Sequence, residues 1–187
     1  MTEQIKIDFD KIVQTSSFSE TDIELKRQYL NKFIENGFPS RKLENWKFSD
    51  LSRIIHNNIG QLSYFNDYSS SNKIDTSIFI DGLEHNKIFF INGRVEKIDF
   101  SYEDQNKIEI NEDSKLDNTF ENKNSLIDLN NAFTNKSYKI LIKKNYSFKK
   151  PLIVYHTTNE AVRSKNVNLR LEFKLEQNSS LRLIDIF

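Results

Sequence analysis

The sequence contains no cysteine, and this absence limits its chemistry. Without thiols the chain cannot form disulfides, thiolate metal sites or a cysteine nucleophile. Iron–sulfur or zinc chemistry would need ligands from another chain, or from histidine and carboxylate side chains alone. We therefore expect that the chain binds no cofactor or metal by itself.

The sequence also lacks a charge excess and a long apolar run. Basic and acidic residues number 27 each, so no net field would concentrate nucleic acid or anionic lipid on the protein. The N-terminus has neither the basic head nor the apolar run of a signal peptide, and no segment approaches the length of a membrane span. We therefore expect a cytoplasmic protein with neither nucleic acid nor a membrane as partner.

Apolar content is sufficient for a core, because 37% of the 187 residues are hydrophobic. A helix is predicted from Glu20 to Asn36, with Ser19 as its N-cap, Ile23, Leu30, Phe33 and Ile34 on one face, and Gly37 at its end. Ser49 is predicted to cap a short helix that carries Leu51, Ile54 and Ile55, and Ser125 to cap a helix over SLIDLNNAF. The apolar face of that last helix is expected to pack on a β-hairpin.

The predicted hairpin spans residues 87–99, because Asn92-Gly93 accepts the positive φ angles of a type I′ turn. From residue 135 onward the apolar period changes to two. SYKILIKK, PLIVYHTT and VNLRLEFKLE predict strands of a sheet with one buried face. The expected fold is α+β, with a helical and hairpin region over residues 1–134 and a β domain over 135–187. Polar residues from 61 to 86 predict a loop. The chain stops on the apolar strand LRLIDIF, which suggests a fragment or a subunit that completes its sheet elsewhere.

Histidine offers little sign of catalysis. His56, His85 and His156 lie far apart in sequence without metal-ligand spacing, so each is read as a surface or structural residue. A small hydrolase would require two of them to converge on carboxylates. We therefore expect a protein that is not an enzyme.

The segment FPSRKLENWKFSDL holds the single tryptophan and one of the two prolines. Its candidate site residues are Pro39, Arg41, Lys42, Glu44, Trp46 and Lys47. Trp46 could bury its indole against the preceding helix, as a structural clasp, while the charged groups pair at its rim. The alternative is a partner-docking patch, because tryptophan and arginine are enriched in binding hot spots. The residues favour the clasp and leave the patch open.

This segment resembles the N-terminal signature of the SufD family, in which proline precedes Arg-Lys, then Glu, then Trp-Lys followed by an aromatic and a hydroxyl residue. FFINGRVEKI, LNNAF and the segment from KPLIVYHTT to LRLIDIF are similar to later family segments, and they occur in family order from about residue 37 to 187. The family usually has Tyr-Thr where this chain has Phe48-Ser49. SufB resembles the chain less well. Family members are much longer than this chain.

The resemblance implies a right-handed β-helix of which this chain holds the first strands. It also implies a non-catalytic scaffold subunit of the SUF iron–sulfur assembly complex, which pairs with a SufB-like subunit and docks a SufC-like ABC ATPase. In that family the cluster is assembled transiently on the complex and the partner ATPase uses ATP. The residues of cluster chemistry and the ATPase-docking segment are expected to lie outside this chain, so none is assigned here. The rival hypothesis is a stand-alone protein-interaction adaptor, with a β-sandwich-like sheet, that docks through the Trp46 region.

Overall fold

The computed structural model describes residues 2–58, 63–64, 76–113 and 124–187, and these form a mixed α+β structure. The predicted α+β class is confirmed at this level. The helices are α1 (Thr2–Thr15), α2 (Glu20–Asn36), α3 (Leu51–Asn58) and α4 (Ser125–Phe133). The strands are β1 (Asn86–Ile91), β2 (Arg94–Asp99), β3 (Ile108–Asp113), β4 (Ser137–Ile142), β5 (Leu152–Thr157), β6 (Arg170–Leu175) and β7 (Leu183–Ile186). Most of the loop predicted over residues 61–86 lies outside the described residues. No helix in the described ranges is long and apolar enough to cross a membrane.

Helix α2 has the predicted ends. The Ser19 side chain accepts a hydrogen bond from the Asp22 N–H, and Gly37, with φ 67°, donates its N–H to the Phe33 carbonyl. Only a residue that tolerates positive φ can end the helix in this way, and glycine does so without a steric cost. The sequence prediction of this helix is confirmed.

Helix α1 was not predicted. Its buried residues are Ile5, Phe9 and Ile12, which follow the spacing of one helical face. This apolar spacing is visible in the sequence, but the segment begins without a capping residue that would mark a helix start. The Phe9 ring packs edge-on against Phe133 of α4, with ring centroids 5.9 Å apart.

Helices α3 and α4 form where predicted, but both predicted caps are wrong by one residue. The Asp50 side chain accepts the Arg53 N–H at 3.0 Å at the start of α3, instead of Ser49. At α4 the Asn124 side chain accepts the Leu126 N–H at 3.1 Å, and Ser125 is already helical. Aspartate and asparagine cap at least as well as serine, so each helix begins after the acidic or amide residue.

The described residues divide into two compact units that are discontinuous in sequence. The first unit draws on residues 1–66, 114–137 and 164–170, and the second on 67–113, 138–163 and 171–187. The domain boundary that the sequence predicted after residue 134 stays a prediction.

The core of the first unit is formed by the four helices and Tyr64. Its buried residues are Ile5, Phe9, Ile12, Leu30, Phe33, Ile55, Tyr64, Leu129, Ala132 and Phe133. The expectation that α4 packs on the hairpin is therefore wrong. Its Phe133 ring instead stacks on Tyr64 at 3.6 Å between centroids. The apolar face identified from the sequence is correct, but its partner is another helical face.

In the second unit the predicted hairpin is confirmed. Strands β1 and β2 pair antiparallel, and Asn92 (φ 52°) and Gly93 (φ 79°) have the two positive φ angles of a type I′ turn. A register shift between Phe89 and Phe90 marks a bulge that the sequence pattern does not reveal.

Two sheets make up the second unit. One has the order β2-β1-β5-β7 and the other β3-β4-β6. Strand β5 pairs parallel with both β1 and β7, and its residues Leu152–Tyr155 have no exposed surface. A continuous apolar run such as LIVY is typical of a parallel strand buried on both faces.

Strand β4 shows the predicted alternation, with Tyr138, Ile140 and Ile142 buried. The prediction for VNLRLEFKLE is wrong in part, because the strand begins only at Arg170 and its apolar side chains are not buried. Residues 164–170 belong to the first unit, where Asn166 donates its N–H to the Ser63 carbonyl at 2.6 Å. This bond to a residue distant in sequence holds Asn166 in the first unit, and the first half of the predicted strand does not form.

Candidate functional site

The candidate site residues lie between α2 and α3, in a series of tight turns. After Pro39, backbone bonds run from the Leu43 N–H to the Ser40 carbonyl at 3.0 Å and from the Trp46 N–H to the Leu43 carbonyl at 2.8 Å. Residues Glu44–Trp46 form one turn of 3-10 helix. Proline removes a donor and cannot continue α2, so the chain must turn here.

Phe38 and Pro39 attach this segment to the helical core. Pro39 is buried, and the half-buried Phe38 ring packs edge-on against Phe33 of α2 with centroids 5.0 Å apart. Edge-to-face aromatic pairs are favourable beyond the area that they bury. The segment is therefore held at its N-terminal end by apolar contacts.

The charged site residues interact with one another and with the backbone. The Arg41 Nε donates to the Lys47 carbonyl at 3.2 Å, and the Lys47 ammonium pairs with the Glu44 carboxylate. The same ammonium lies over the Phe48 ring, 5.1 Å from its centroid. All four side chains are exposed, so the ion pair contributes little to stability and its main effect is on local geometry.

Trp46 is half-buried, and its apolar neighbours are more exposed. Leu43 retains 52% and Phe48 88% of their accessible surface. Half-burial gives the indole both a packed part and an accessible part, so the clasp and the docking patch both stay predictions. Phe48 was not among the candidate site residues, because no sequence pattern shows that a single ring in a turn is exposed.

An open cleft of about 430 Å³ lies beside Trp46. Pro39, Leu43, Glu44 and Trp46 contribute to one part of its lining, and the start of α4 to another. Three of the predicted site residues thus share the cleft, while Arg41, Lys42 and Lys47 are exposed on the same segment.

The histidines do not converge. His85 is buried, and its Nδ1 lies 2.6 Å from the Leu83 carbonyl, which can only accept, so Nδ1 carries the proton. Its Nε2 lies 2.8 Å from the Tyr155 hydroxyl oxygen, which accepts the Ile80 N–H at 3.2 Å. Both ring nitrogens are engaged, as in a structural histidine.

His156 follows Tyr155 in β5, so the two side chains lie on opposite faces of the strand. Its Nε2 lies 2.8 Å from an Asp185 carboxylate oxygen, and its ring stacks between Phe90 and Phe187 at 5.1 and 4.5 Å. His56 is exposed at the end of α3. Among the described residues, no three histidine or carboxylate side chains come together in a way that could hold a metal ion.

Sequence reasoning missed a buried lysine in the first unit. Lys26 is 1% exposed, and its ammonium donates to the Thr134 carbonyl, with the Asn131 carbonyl 3.5 Å away. Burial lowers the pKa of Lys26 to about 8, and nearby Asp22 opposes that shift. Lys26 lies three residues after Ile23 and four before Leu30, so helical spacing placed it on the buried face.

A buried carboxylate was also missed in the second unit. Glu103 accepts hydrogen bonds from the Asn86 amide at 2.8 Å, the Tyr146 hydroxyl at 2.7 Å and the N–H groups of Lys149 and Lys150 at 3.1 Å. Burial raises the pKa of Glu103, but these bonds more than offset it and hold the pKa below its usual value. The carboxylate ties the turn before β5 to the segment after β2.

No protein-family model and no curated protein matches the sequence. The functional conclusion therefore depends on the motifs quoted above and on the geometry of the two units.

Proposed function

We propose that this chain is a non-catalytic scaffold subunit of a SUF-type iron–sulfur cluster assembly complex. Its strands would form the first coils of a right-handed β-helix, and its partners would be a SufB-like subunit and a SufC-like ABC ATPase in the cytoplasm. The cluster is then a transient product of the complex, and ATP is the substrate of the partner ATPase. The observation that carries this proposal is the parallel stacking of chain segments in the second unit.

The stacking extends beyond the strands into the turns that join them. Strands β5 and β7 pair parallel from Leu152↔Leu183 to Tyr155↔Ile186. Before them, the Glu176 N–H bonds to the Ile142 carbonyl at 3.0 Å and the Phe148 N–H to the Ser180 carbonyl at 3.0 Å. Residues 142–155 therefore run beside residues 176–186 as one coil beside the next. A β-helix consists of such coils.

Like side chains overlie one another at the turns. Asn145 and Asn178 both have φ 58°, and the Asn178 side-chain amide nitrogen donates to the Asn145 side-chain Oδ1 at 3.1 Å. On the strands, the Phe90, His156 and Phe187 rings stack at spacings close to the separation of neighbouring strands, about 4.8 Å. Such ladders require equivalent positions in successive coils to lie in register.

The hand of the coil has independent support. Two parallel strands of one sheet that are joined by a crossover are right-handed in about 98% of cases. Strands β5 and β7 are parallel neighbours, and the chain passes through β6 of the other sheet between them. This favours a right-handed coil.

The segment of the sequence that resembles the first β-helix rungs of SufD is the one that forms β5, β6 and β7. The FFINGRVEKI segment, which resembles the family hairpin, forms β1 and β2. Motif order and the stacked strands thus favour the same family architecture. The partners and the role in assembly come from the resemblance alone.

The test is co-expression with the SufB-like and SufC-like proteins of the same genome. We expect an affinity tag on the SufB-like subunit to retain this chain in a stoichiometric complex through size-exclusion chromatography. A matched control carries the same tag on an unrelated β-helical protein. A chain that elutes alone, while the SufB-like and SufC-like proteins assemble without it, contradicts the proposal.

A further inference from the structure

We propose that the cleft beside Trp46, with the exposed side chains Leu43 and Phe48, docks a short segment of a partner protein that carries one large apolar side chain flanked by acidic residues. This surface is called the Trp46 surface below. The inference goes beyond the SUF assembly role and does not depend on it.

The apolar part of the Trp46 surface has the size and exposure of an anchor site. Leu43, which lines the cleft, and Phe48, two residues after the half-buried Trp46, leave 52% and 88% of their surfaces accessible. The cleft beside them, at about 430 Å³, falls within the range of ligand-binding clefts, roughly 300–1,000 Å³. One leucine or phenylalanine of a partner would occupy the part of the cleft that Leu43 and Trp46 line.

The charge around the cleft selects an acidic partner. Residues 39–53 contain four basic and two acidic side chains. Both acids are engaged within the segment, because Glu44 pairs with Lys47 and Asp50 accepts the Arg53 N–H. The excess positive charge of this exposed segment, including Lys42 and Arg53, therefore attracts acidic side chains beside the anchor.

A protein segment fits this surface better than nucleic acid or a membrane does. Single-stranded nucleic acid uses a continuous basic groove with several stacking rings. Here residues 39–53 contain two rings, those of Trp46 and Phe48, and four basic side chains, which is less than such a groove requires. A membrane surface would require a wider basic field, and the whole chain has no net charge.

Trp46 is the only tryptophan, so its emission reports on this surface directly. The probe is a short tryptophan-free peptide with a central Leu-Phe anchor between aspartate and glutamate residues. We expect it to change Trp46 emission in a saturable and salt-sensitive manner. A peptide with lysine in place of the acids, and one with alanine in place of the anchor, should bind at least about tenfold more weakly.

Substitutions in the protein make the test specific. Phe48→Ala and Lys42→Glu should each weaken binding of the acidic peptide about tenfold, because both side chains are exposed and their replacement removes an apolar ring of the Trp46 surface or reverses a charge. The matched controls are Phe187→Ala, at a ring that is 91% exposed in the second unit, and Lys174→Glu, at an exposed lysine of β6. Both controls should bind like the unmodified chain. Thermal unfolding of each variant verifies that it is folded.

Three results would overturn the inference. The first is an emission change that is equal for the acidic and lysine-containing peptides. The second is binding that Phe48→Ala and Lys42→Glu leave unchanged. The third is a response to anionic lipid vesicles or to oligo-deoxythymidine with no response to the acidic peptide, which would assign the surface to a membrane or to nucleic acid. Because the chain alone is used, none of these results depends on the SUF proteins.

Discussion

At the scale of single residues, Lys26 shows how one buried charge connects two helices. Its ammonium donates to the Thr134 carbonyl just after the last turn of α4 and lies 4.6 Å from the centroid of the Phe18 ring. Carbonyls at a helix C-terminus lack partners within the helix and carry partial negative charge, so a cation is favourable there. Burial opposes the charge, because the ammonium loses its hydration.

The lowered pKa of Lys26 predicts that the protein becomes more stable as pH rises above 8. The unfolded lysine keeps its proton to pH 10.5, whereas the folded one releases it above about 8. Between these values the unfolded state binds the additional proton, so raising the pH favours the folded state. From about pH 7 to about pH 9.5 we expect Lys26 to contribute about 2 kcal/mol to the free energy of unfolding. Urea unfolding at the two pH values measures it.

The control for this prediction is a pair of substitutions. Lys26→Met keeps the aliphatic stem and removes the titrating group, so the pH-dependent gain should disappear. Lys6→Met, at an exposed lysine of α1, should leave the gain intact. A gain that survives in Lys26→Met would assign the titration to another group.

Residue-scale features of this kind were only partly accessible from the sequence. Helical spacing places Lys26 on the apolar face, but a lysine there usually extends its ammonium to solvent. Only the position of α4, which is remote in sequence, shows that carbonyls accept it. Glu103 gives no local signal, because its donors come from residues 86 and 146–150. The exposure of Phe48 likewise depends on turns that pattern does not specify.

At the scale of elements, local signals predicted α2, α3, α4 and the hairpin, missed α1 and β3, and were less accurate at element boundaries. The Asn92-Gly93 turn fixed the hairpin because two positive φ angles in succession exclude most other residue pairs. At the starts of α3 and α4 the cap is the residue beside the predicted serine, because the backbone conformation decides which of two neighbouring polar residues caps. Residues 167–169 alternate like a strand, but hydrogen bonds in the first unit draw this part of the chain away.

The cap assignments predict a difference between adjacent substitutions. Asp50→Ala and Asn124→Ala should each cost about 1 kcal/mol, because each removes the acceptor of an N–H group in the first helical turn. Ser49→Ala and Ser125→Ala should stay within about 0.5 kcal/mol of the unmodified chain. Equilibrium urea unfolding compares the four variants. A larger loss of unfolding free energy at the serines than at Asp50 and Asn124 would show that the serines are the caps, as the sequence predicted.

At the scale of the whole molecule, the pairing of distant segments was beyond pattern reasoning. Periodicity identifies β1 and β5 as apolar strands, but it does not show that Asn86 pairs with Leu152 in a parallel ladder. The helical face of α4 was identified correctly and assigned to the wrong partner for the same reason, since any apolar face can cover another. The coil architecture stays a proposal, and on the sequence side it rests only on the resemblance of ordered motifs.

The final prediction concerns the cargo of the proposed complex. Anaerobic incubation of the purified chain with ferrous iron and sulfide, followed by desalting, should leave it colourless. Iron–sulfur clusters are held by thiolates in nearly all proteins, and this sequence has none. His85 has both ring nitrogens engaged, and His156 is paired with Asp185 between two rings. The SufB-like subunit, treated in parallel, tests the procedure. Stoichiometric charge-transfer absorption on the isolated chain would require a histidine and carboxylate site, and the cluster would then belong to this subunit rather than to the assembled complex.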